Sequence, residues 1–280
     1  MKIGLLECDH VAPPFRHIAG DYRDMFAAIL PGLQLKPYDV CNGEFPENVE
    51  ACDGYLCTGS KYSVYDDIDW IHRLKVFFHE LYAAKKPFVG VCFGHQMMAE
   101  ALGGKVAKAP VGWCVGVHEF AVLETAEWMR PKNPNSLGAE GASRDASASW
   151  RKSGKPEMGN RKELPGIPVS AFRLPPSDFN PKKLPSLKLL MSCQDQVQSL
   201  PPDSRVLASA ADCPVGIFSV GDSMLGLQAH PEFPKAYMEA LIRDRVQRIG
   251  EEKAMKGIES LGQATDERVV AEWMVGFLGL

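Results

Sequence analysis

The stretch Val89-Gly90-Val91-Cys92-Phe93-Gly94-His95-Gln96 decides how this chain folds. Pro87 to Val91 is a short apolar run and predicts a buried parallel strand. Phe93, Met97, Ala101 and Leu102 then recur at roughly helical spacing, so strand passes to helix at Cys92. Gly90 and Gly94 flank that junction. A nucleophile on a sharp strand-to-helix turn needs strained dihedrals and small neighbours. The helix N-terminus would aim its free N–H groups and positive dipole end at the sulfur, which favours a thiolate and can hold an oxyanion. A cysteine after an apolar strand is also often just a small buried hydrophobe, and the glycines alone do not separate the two readings.

A second stretch separates them better. Gln228-Ala229-His230-Pro231-Glu232 lies 138 residues beyond Cys92. On extended backbone, residues two apart face the same way. His230 and Glu232 can then serve one site, with His230 as base and Glu232 orienting its far nitrogen. Gly-Val-Cys-Phe-Gly-His-Gln together with His-Pro-Glu resembles the class I (triad-type) glutamine amidotransferase family. The resemblance is closer to the stand-alone members related to γ-glutamyl peptidases, and it spans nearly the whole chain except about 131–185.

The resemblance implies an α/β fold: a mostly parallel, flavodoxin-like open sheet flanked by helices, with an antiparallel edge. It implies Cys92 as nucleophile and His230 and Glu232 as its partners. Oxyanion N–H groups would come from Phe93 and from Gly59 or Ser60 in Thr58-Gly59-Ser60, a tripeptide that by itself reads only as a turn. Gln96 would hold the substrate; its alternative is a helix residue bonding local backbone. His95 is not assigned as the base. Trp113, in Gly112-Trp113-Cys114-Val115-Gly116, borders the glutamyl pocket or is ordinary core. Gly20-Asp21-Tyr22 borders the substrate site or is surface helix. Relatives usually carry His where Cys193 stands, which bears on substrate preference. From the residues alone, Tyr65, Asp66 and Asp67 follow the Thr58-Gly59-Ser60 turn closely enough to line the substrate's amino-acid end, although Asp67 or Asp69 reads equally as a helix cap.

The 280 residues suffice for one large α/β domain, and 45% hydrophobic residues support a full core. A formal charge of −4 gives no bias toward nucleic acid or a membrane surface. No 18-residue apolar run is present, and the first residues do not read as a signal peptide. Eight cysteines without C-x-x-C or zinc-type spacing predict free thiols and a cytoplasmic address.

Strands are expected at 2–8, 33–40, 55–57 and 87–91, then antiparallel strands within 105–123. Further strands are expected at 187–191, 205–209, 214–220 and 224–229, with Gly221-Asp222 as a hairpin turn. Helices are expected at about 17–30, 69–85, from Cys92 to about 102, and at 235–249, 251–260 and 266–279. Residues 131–185 hold nine of the 21 prolines and ten Lys/Arg against five Asp/Glu. That composition reads as a mostly disordered insertion in a single domain, with Val169 to Leu174 its one ordered-looking piece.

The expected chemistry is acyl transfer from the γ-carbonyl of glutamine or a γ-glutamyl peptide, through a thioester, with no metal or organic cofactor. The alternatives are a glutaminase subunit supplying ammonia to a separate synthase partner, and a non-catalytic binding scaffold.

Overall fold

A computed structural model describes residues 1–130, 167–168 and 186–279. The insertion expected at 131–185 lies outside the described residues apart from Ile167–Pro168. Among the described residues, twelve strands and eight α-helices follow in chain order: β1 (Lys2–Leu6), α1 (Arg16–Ala19), α2 (Tyr22–Ile29), β2 (Gln34–Tyr38), β3 (Gly54–Cys57), α3 (Asp69–Ala83), β4 (Phe88–Val91), α4 (Phe93–Ala101), β5 (Lys105–Lys108), β6 (Cys114–Val122), β7 (Ile167–Pro168), β8 (Ser186–Cys193), β9 (Asp195–Leu200), β10 (Ser204–Ala210), β11 (Cys213–Val220), β12 (Met224–Leu227), α5 (Lys235–Asp244), α6 (Val246–Ile249), α7 (Glu251–Ser260) and α8 (Glu267–Phe277).

The main sheet has nine strands in the order β2-β1-β3-β4-β12-β11-β10-β6-β8. The five from β2 to β12 run parallel, and the remaining pairings are antiparallel. Every residue of β3, β4 and β12 is buried, which explains their unbroken apolar runs. Side chains alternate between the two faces. Leu5, Leu56 and Val89 join Phe26 of α2 and Val270 and Met274 of α8 in one core layer. Tyr55, Cys57 and Phe88 join Leu74 and Phe78 of α3 and Met97 of α4 in the other. Among the described residues, no helix is long and apolar enough to cross a membrane.

Several boundaries differ from the sequence pattern. The stretch 17–30 is two helices, because the chain turns at Gly20 and Asp21 restarts it as the N-cap of α2, in a capping box with Asp24. The stretch 235–249 is likewise split at Arg245 into α5 and α6. β12 ends at Leu227, so Gln228 to Glu232 lies beyond the strand. Within 105–123 the chain serves two sheets. β6 lies between β10 and β8, whereas β5 pairs with β9 in a separate three-stranded sheet, β5-β9-β7.

The step from β4 to α4 is closely packed backbone on backbone. A Cβ on Gly90 would lie 2.5 Å from the backbone carbonyl of Gly94 and 2.8 Å from the nitrogen of His95. A Cβ on Gly94 would lie 2.8 Å from the Cys57 carbonyl oxygen. The helix therefore starts directly on the ends of β4 and β3, and only hydrogen fits between them. The contacts are backbone, so no side chain can swing aside. Gly90→Ala is expected to destabilise the protein by about 2 kcal/mol, the usual scale of overpacking, read as a lower midpoint in chemical denaturation; an unchanged midpoint would show that the junction relaxes freely.

Candidate active site

β1, β3 and β4 end on the same edge of the sheet, and the candidate residues gather beyond those ends. Cys92 follows β4 directly, with φ 50° and ψ −97°, a conformation that costs an L-residue about 1–3 kcal/mol. It is the N-cap of α4, and its carbonyl accepts the first helical hydrogen bond, from Gln96 N–H at 2.9 Å. Phe93 is the first residue of α4, so its N–H has no intrahelical acceptor and stays available beside Cys92. The sequence anticipated this turn from the two glycines.

His230 lies next to Cys92. The backbone N–H of His230 donates to Leu190 O at 2.8 Å. Its ring stacks on Phe233, with centroids 3.9 Å apart and planes at 10°. Nδ1 lies 2.8 Å from Glu232 Oε1, so Nε2 is the nitrogen left for the sulfur. Both side chains are buried. Burial opposes a charge on the imidazole. The Glu232 carboxylate and the Cys92 sulfur, each in contact with the ring, outweigh it and push the pKa up to about 10. The arrangement therefore favours an imidazolium poised over the sulfur.

Gly59 completes this arrangement from the β3 side. A Cβ there would lie 3.0 Å from His230 Cε1 and 3.6 Å from Cys92 Cβ. The Ser60 hydroxyl is occupied by backbone: it donates to Cys8 O at 2.9 Å and accepts from Tyr62 N–H at 3.2 Å. What Gly59 and Ser60 can offer a ligand is their N–H groups, and among the described residues neither is paired. Thus Cys92, His230, Glu232, Gly59, Ser60 and Phe93 are brought together.

Cys92 opens into a cleft of about 180 Å³ that Ser60, Gln96, Trp113, Cys193 and Asp195 also line. Gln96 Nε2 donates to Asp195 O at 2.7 Å and to Gln228 Oε1 at 3.1 Å, which fixes its side chain against the cleft wall. Trp113 is a cleft wall with the Arg248 guanidinium 5.4 Å from its ring centroid. Of the expected substrate residues, Tyr65 stands outside the cleft itself and reaches it through Asp195. It is 42% exposed and does not line the cleft. Its hydroxyl instead donates to Asp195 Oδ1 at 3.1 Å, because the turn after Ser60 carries it outward. His95 is fully buried, packs edge-on against Phe218 at 4.8 Å, and is held neutral by burial, which pushes its pKa down to about 3.

Asp195 was missed as a site residue. Among the described residues it is the only carboxylate lining the cleft, and the Ser63 hydroxyl holds its Oδ2 at 2.5 Å. The signal was an acidic residue two positions after Cys193, where β8 turns into β9. Cys193 is fully buried against Cys92; burial first, and the neighbouring sulfurs next, push its pKa up and keep it a neutral thiol. All eight cysteines are free.

One other cluster has the ligand types of a metal site: His10, Asp39 and Cys41, with candidate atoms within 4.8 Å of one another. Burial and then the Asp39 carboxylate push the Cys41 thiol up to about 12. Burial works against a charged His10, but Asp39 and Asp21 hold its pKa above the ordinary value. Both groups meet Asp39 in a hydrogen-bond network, His10 Nε2 at 3.2 Å and Cys41 Sγ at 3.2 Å.

Residues 37–144, which include Cys92, match the family model described as glutamine amidotransferase class-I. The chain is 25% identical to γ-glutamyl peptidase 3 of Arabidopsis thaliana, over 90% of this chain and 85% of that protein. It is 27% identical to a glutamine-hydrolysing GMP synthase of Caldanaerobacter subterraneus, over 71% of this chain but only 28% of the synthase. A crystal structure of a glutamine amidotransferase from Thermotoga maritima shares the fold, with a TM-score of 0.62 at 16% identity, over 99% of this chain and 96% of that one. The chain is thus similar to the class-I glutamine amidotransferases over residues 37–144 and to a γ-glutamyl peptidase over nearly its full length.

The raised pKa of His230 gives a signed prediction. A group whose pKa rises on folding from 6.5 to about 10 stabilises the fold in full below pH 6.5, and that contribution is lost as pH rises through about 10. In nitrogen-detected NMR the His230 ring is expected to stay protonated well above pH 7, and Glu232→Gln to lower its midpoint. A wild-type midpoint near 6.5 would contradict the charge pairing.

Proposed function

We propose that the protein is a Cys92–His230–Glu232 hydrolase of γ-glutamyl amides that releases glutamate through a thioester. The single observation behind this reading is the geometry at Cys92: a strained helix-capping cysteine beside a buried imidazole whose Nδ1 is held 2.8 Å from a carboxylate. A buried structural histidine needs no carboxylate of its own, and a structural cysteine needs no left-handed backbone.

The chemistry follows from the positions. Cys92 thiolate attacks the γ-carbonyl carbon, and the carbonyl π pair moves onto oxygen. The unpaired N–H groups of Phe93, Gly59 and Ser60 are the donors we assign to that oxygen, each such donor being worth about 3 kcal/mol in the transition state. The tetrahedral intermediate collapses, the C–N bond breaks, and the His230 imidazolium gives its proton to the departing nitrogen. The neutral imidazole then takes a proton from water, whose oxygen attacks the thioester. The C–S bond breaks, glutamate leaves, and the thiolate–imidazolium pair is restored. Glu232 keeps the ring in the tautomer and orientation that both proton transfers require. Gln96 and Trp113 shape the glutamyl part of the cleft. Asp195, braced by Ser63 and Tyr65, suits the α-ammonium group of a glutamyl substrate. We place this chemistry in the cytoplasm, in keeping with the free cysteines.

The second reading is ammonia supply to a synthase. It is favoured by the match to GMP synthase, of which this chain resembles a 28% portion. The two readings differ in what a purified chain does alone. The test is glutamate release from L-glutamine and from a γ-glutamyl peptide in parallel. Turnover of the peptide by the chain alone is expected, and Cys92→Ser is expected to abolish it without loss of folding; full activity in Cys92→Ser would overturn the nucleophile. Turnover only when a synthase is added would favour the second reading. Asp195→Asn is expected to raise KM by about tenfold or more, the scale of one lost charge-assisted hydrogen bond, with a smaller change in kcat; an unchanged KM would remove Asp195 from substrate binding.

A further inference from the structure

We propose that a second cavity beside the catalytic cleft receives the amine side of the substrate, and that it selects γ-glutamyl conjugates of α-amino acids with bulky apolar side chains. The proposal rests on the γ-glutamyl hydrolase reading above and names the substrate class of that same site.

The cavity measures about 490 Å³, against about 180 Å³ for the cleft that holds Cys92. The two share Lys61, Tyr62, Arg245 and Arg248 as a common wall. Gln96, Trp113 and Asp195 line the cleft alone, whereas Tyr22 and Tyr237 line the cavity alone. Those two tyrosines locate the cavity relative to the chemistry. Tyr22 stacks on Phe233 at 6.1 Å, Tyr237 meets Phe233 edge-on at 4.9 Å, and Phe233 stacks on His230. The cavity therefore lies beyond Phe233 from the His230 ring, and it meets the cleft through the wall the two share. Asp195, the anchor for the glutamyl ammonium, belongs to the cleft alone. Ammonia, the amine released from glutamine, would leave this cavity without an occupant.

Charge and shape narrow the amine further. Asp9 of the cavity wall is paired with Lys61 at 2.8 Å, and Arg16 with Asp21 at 3.3 Å. Arg245 and Arg248 stand at the junction with neutral partners: the Ser192 hydroxyl at 3.3 Å for Arg245, and the Trp113 ring for Arg248. Among the described residues neither has a carboxylate within salt-bridge distance. Two guanidinium groups on neutral partners suit a carboxylate. An α-amino acid carries its carboxylate one carbon from its nitrogen, so a γ-glutamyl amino acid presents that group at the junction while its side chain points into the cavity. There Val11, Phe15 and Leu241 offer an apolar wall.

The test uses the full chain and four substrates: γ-glutamyl-phenylalanine, γ-glutamyl-glycine, γ-glutamyl-phenethylamide, which lacks the carboxylate, and L-glutamine. Wild-type kcat/KM is expected to be about tenfold or more higher for γ-glutamyl-phenylalanine than for the glycine conjugate or the phenethylamide, the scale of one filled apolar pocket or one ion pair. Phe15→Ala should collapse the phenylalanine-to-glycine ratio toward one. Arg248→Ala should collapse the phenylalanine-to-phenethylamide ratio in the same way. Equal wild-type rates on the three conjugates, or ratios that survive both substitutions in folded variants, would overturn the inference; if a variant fails to fold, the wild-type ratios decide. Glutamate release from none of the four would refute the hydrolase reading along with it, whereas release without preference refutes the cavity assignment alone.

Discussion

The close packing of α4 on the ends of β3 and β4 is the constraint on which the rest depends. Gly90 and Gly94 let the helix begin within hydrogen-contact distance of the strands, and the chain can make that turn only by forcing Cys92 to φ 50°. One geometric demand thus sets three features together. The sulfur stands at the mouth of the sheet, unpaired N–H groups surround it, and the β12 extension can bring His230 alongside. The strain at Cys92 is small against the apolar burial that surrounds it on both faces of the sheet. A core of this size can hold a residue in a conformation that it would not choose by itself.

Electrostatics organise the second half of the site. A buried imidazole would ordinarily lose its proton, as His95 does three residues after Cys92. His230 behaves in the opposite way because a carboxylate and a sulfur face its two nitrogens. Two histidines at similar depth are thus driven in opposite directions by their neighbours, and only the paired one is suited to move protons. The cleft continues this polarity, with the Asp195 carboxylate and the Arg245 and Arg248 guanidinium groups among its lining.

Much of this was legible in the sequence, and the exceptions have physical causes. The parallel strands could be read because residues buried on both faces form unbroken apolar runs, and the strand-to-helix turn because its glycines admit no substitute. Helix α2 began later than its pattern suggested because a capping box at Asp21 outweighs the apolar spacing of Ile18 and Tyr22. β9 escaped notice because it mixes polar with apolar residues and pairs in a small second sheet rather than in the main one. Tyr65 meets the cleft only through Asp195, because proximity in sequence to Ser60 does not fix direction after a turn. Asp195 was overlooked for the complementary reason: its partners Ser63 and Tyr65 are more than 100 residues away, so no local pattern marks it.

The central claim is that Cys92, alone among eight cysteines, is an activated nucleophile that recognises a γ-glutamyl group. The most direct measurement is intact-protein and peptide mass spectrometry after exposure to an electrophilic glutamine analogue, such as a γ-glutamyl diazoketone. The account predicts a single adduct on Cys92, protected by γ-glutamyl substrate and slowed strongly by His230→Asn. An unlabelled protein, or label spread over other cysteines without substrate protection, would contradict it.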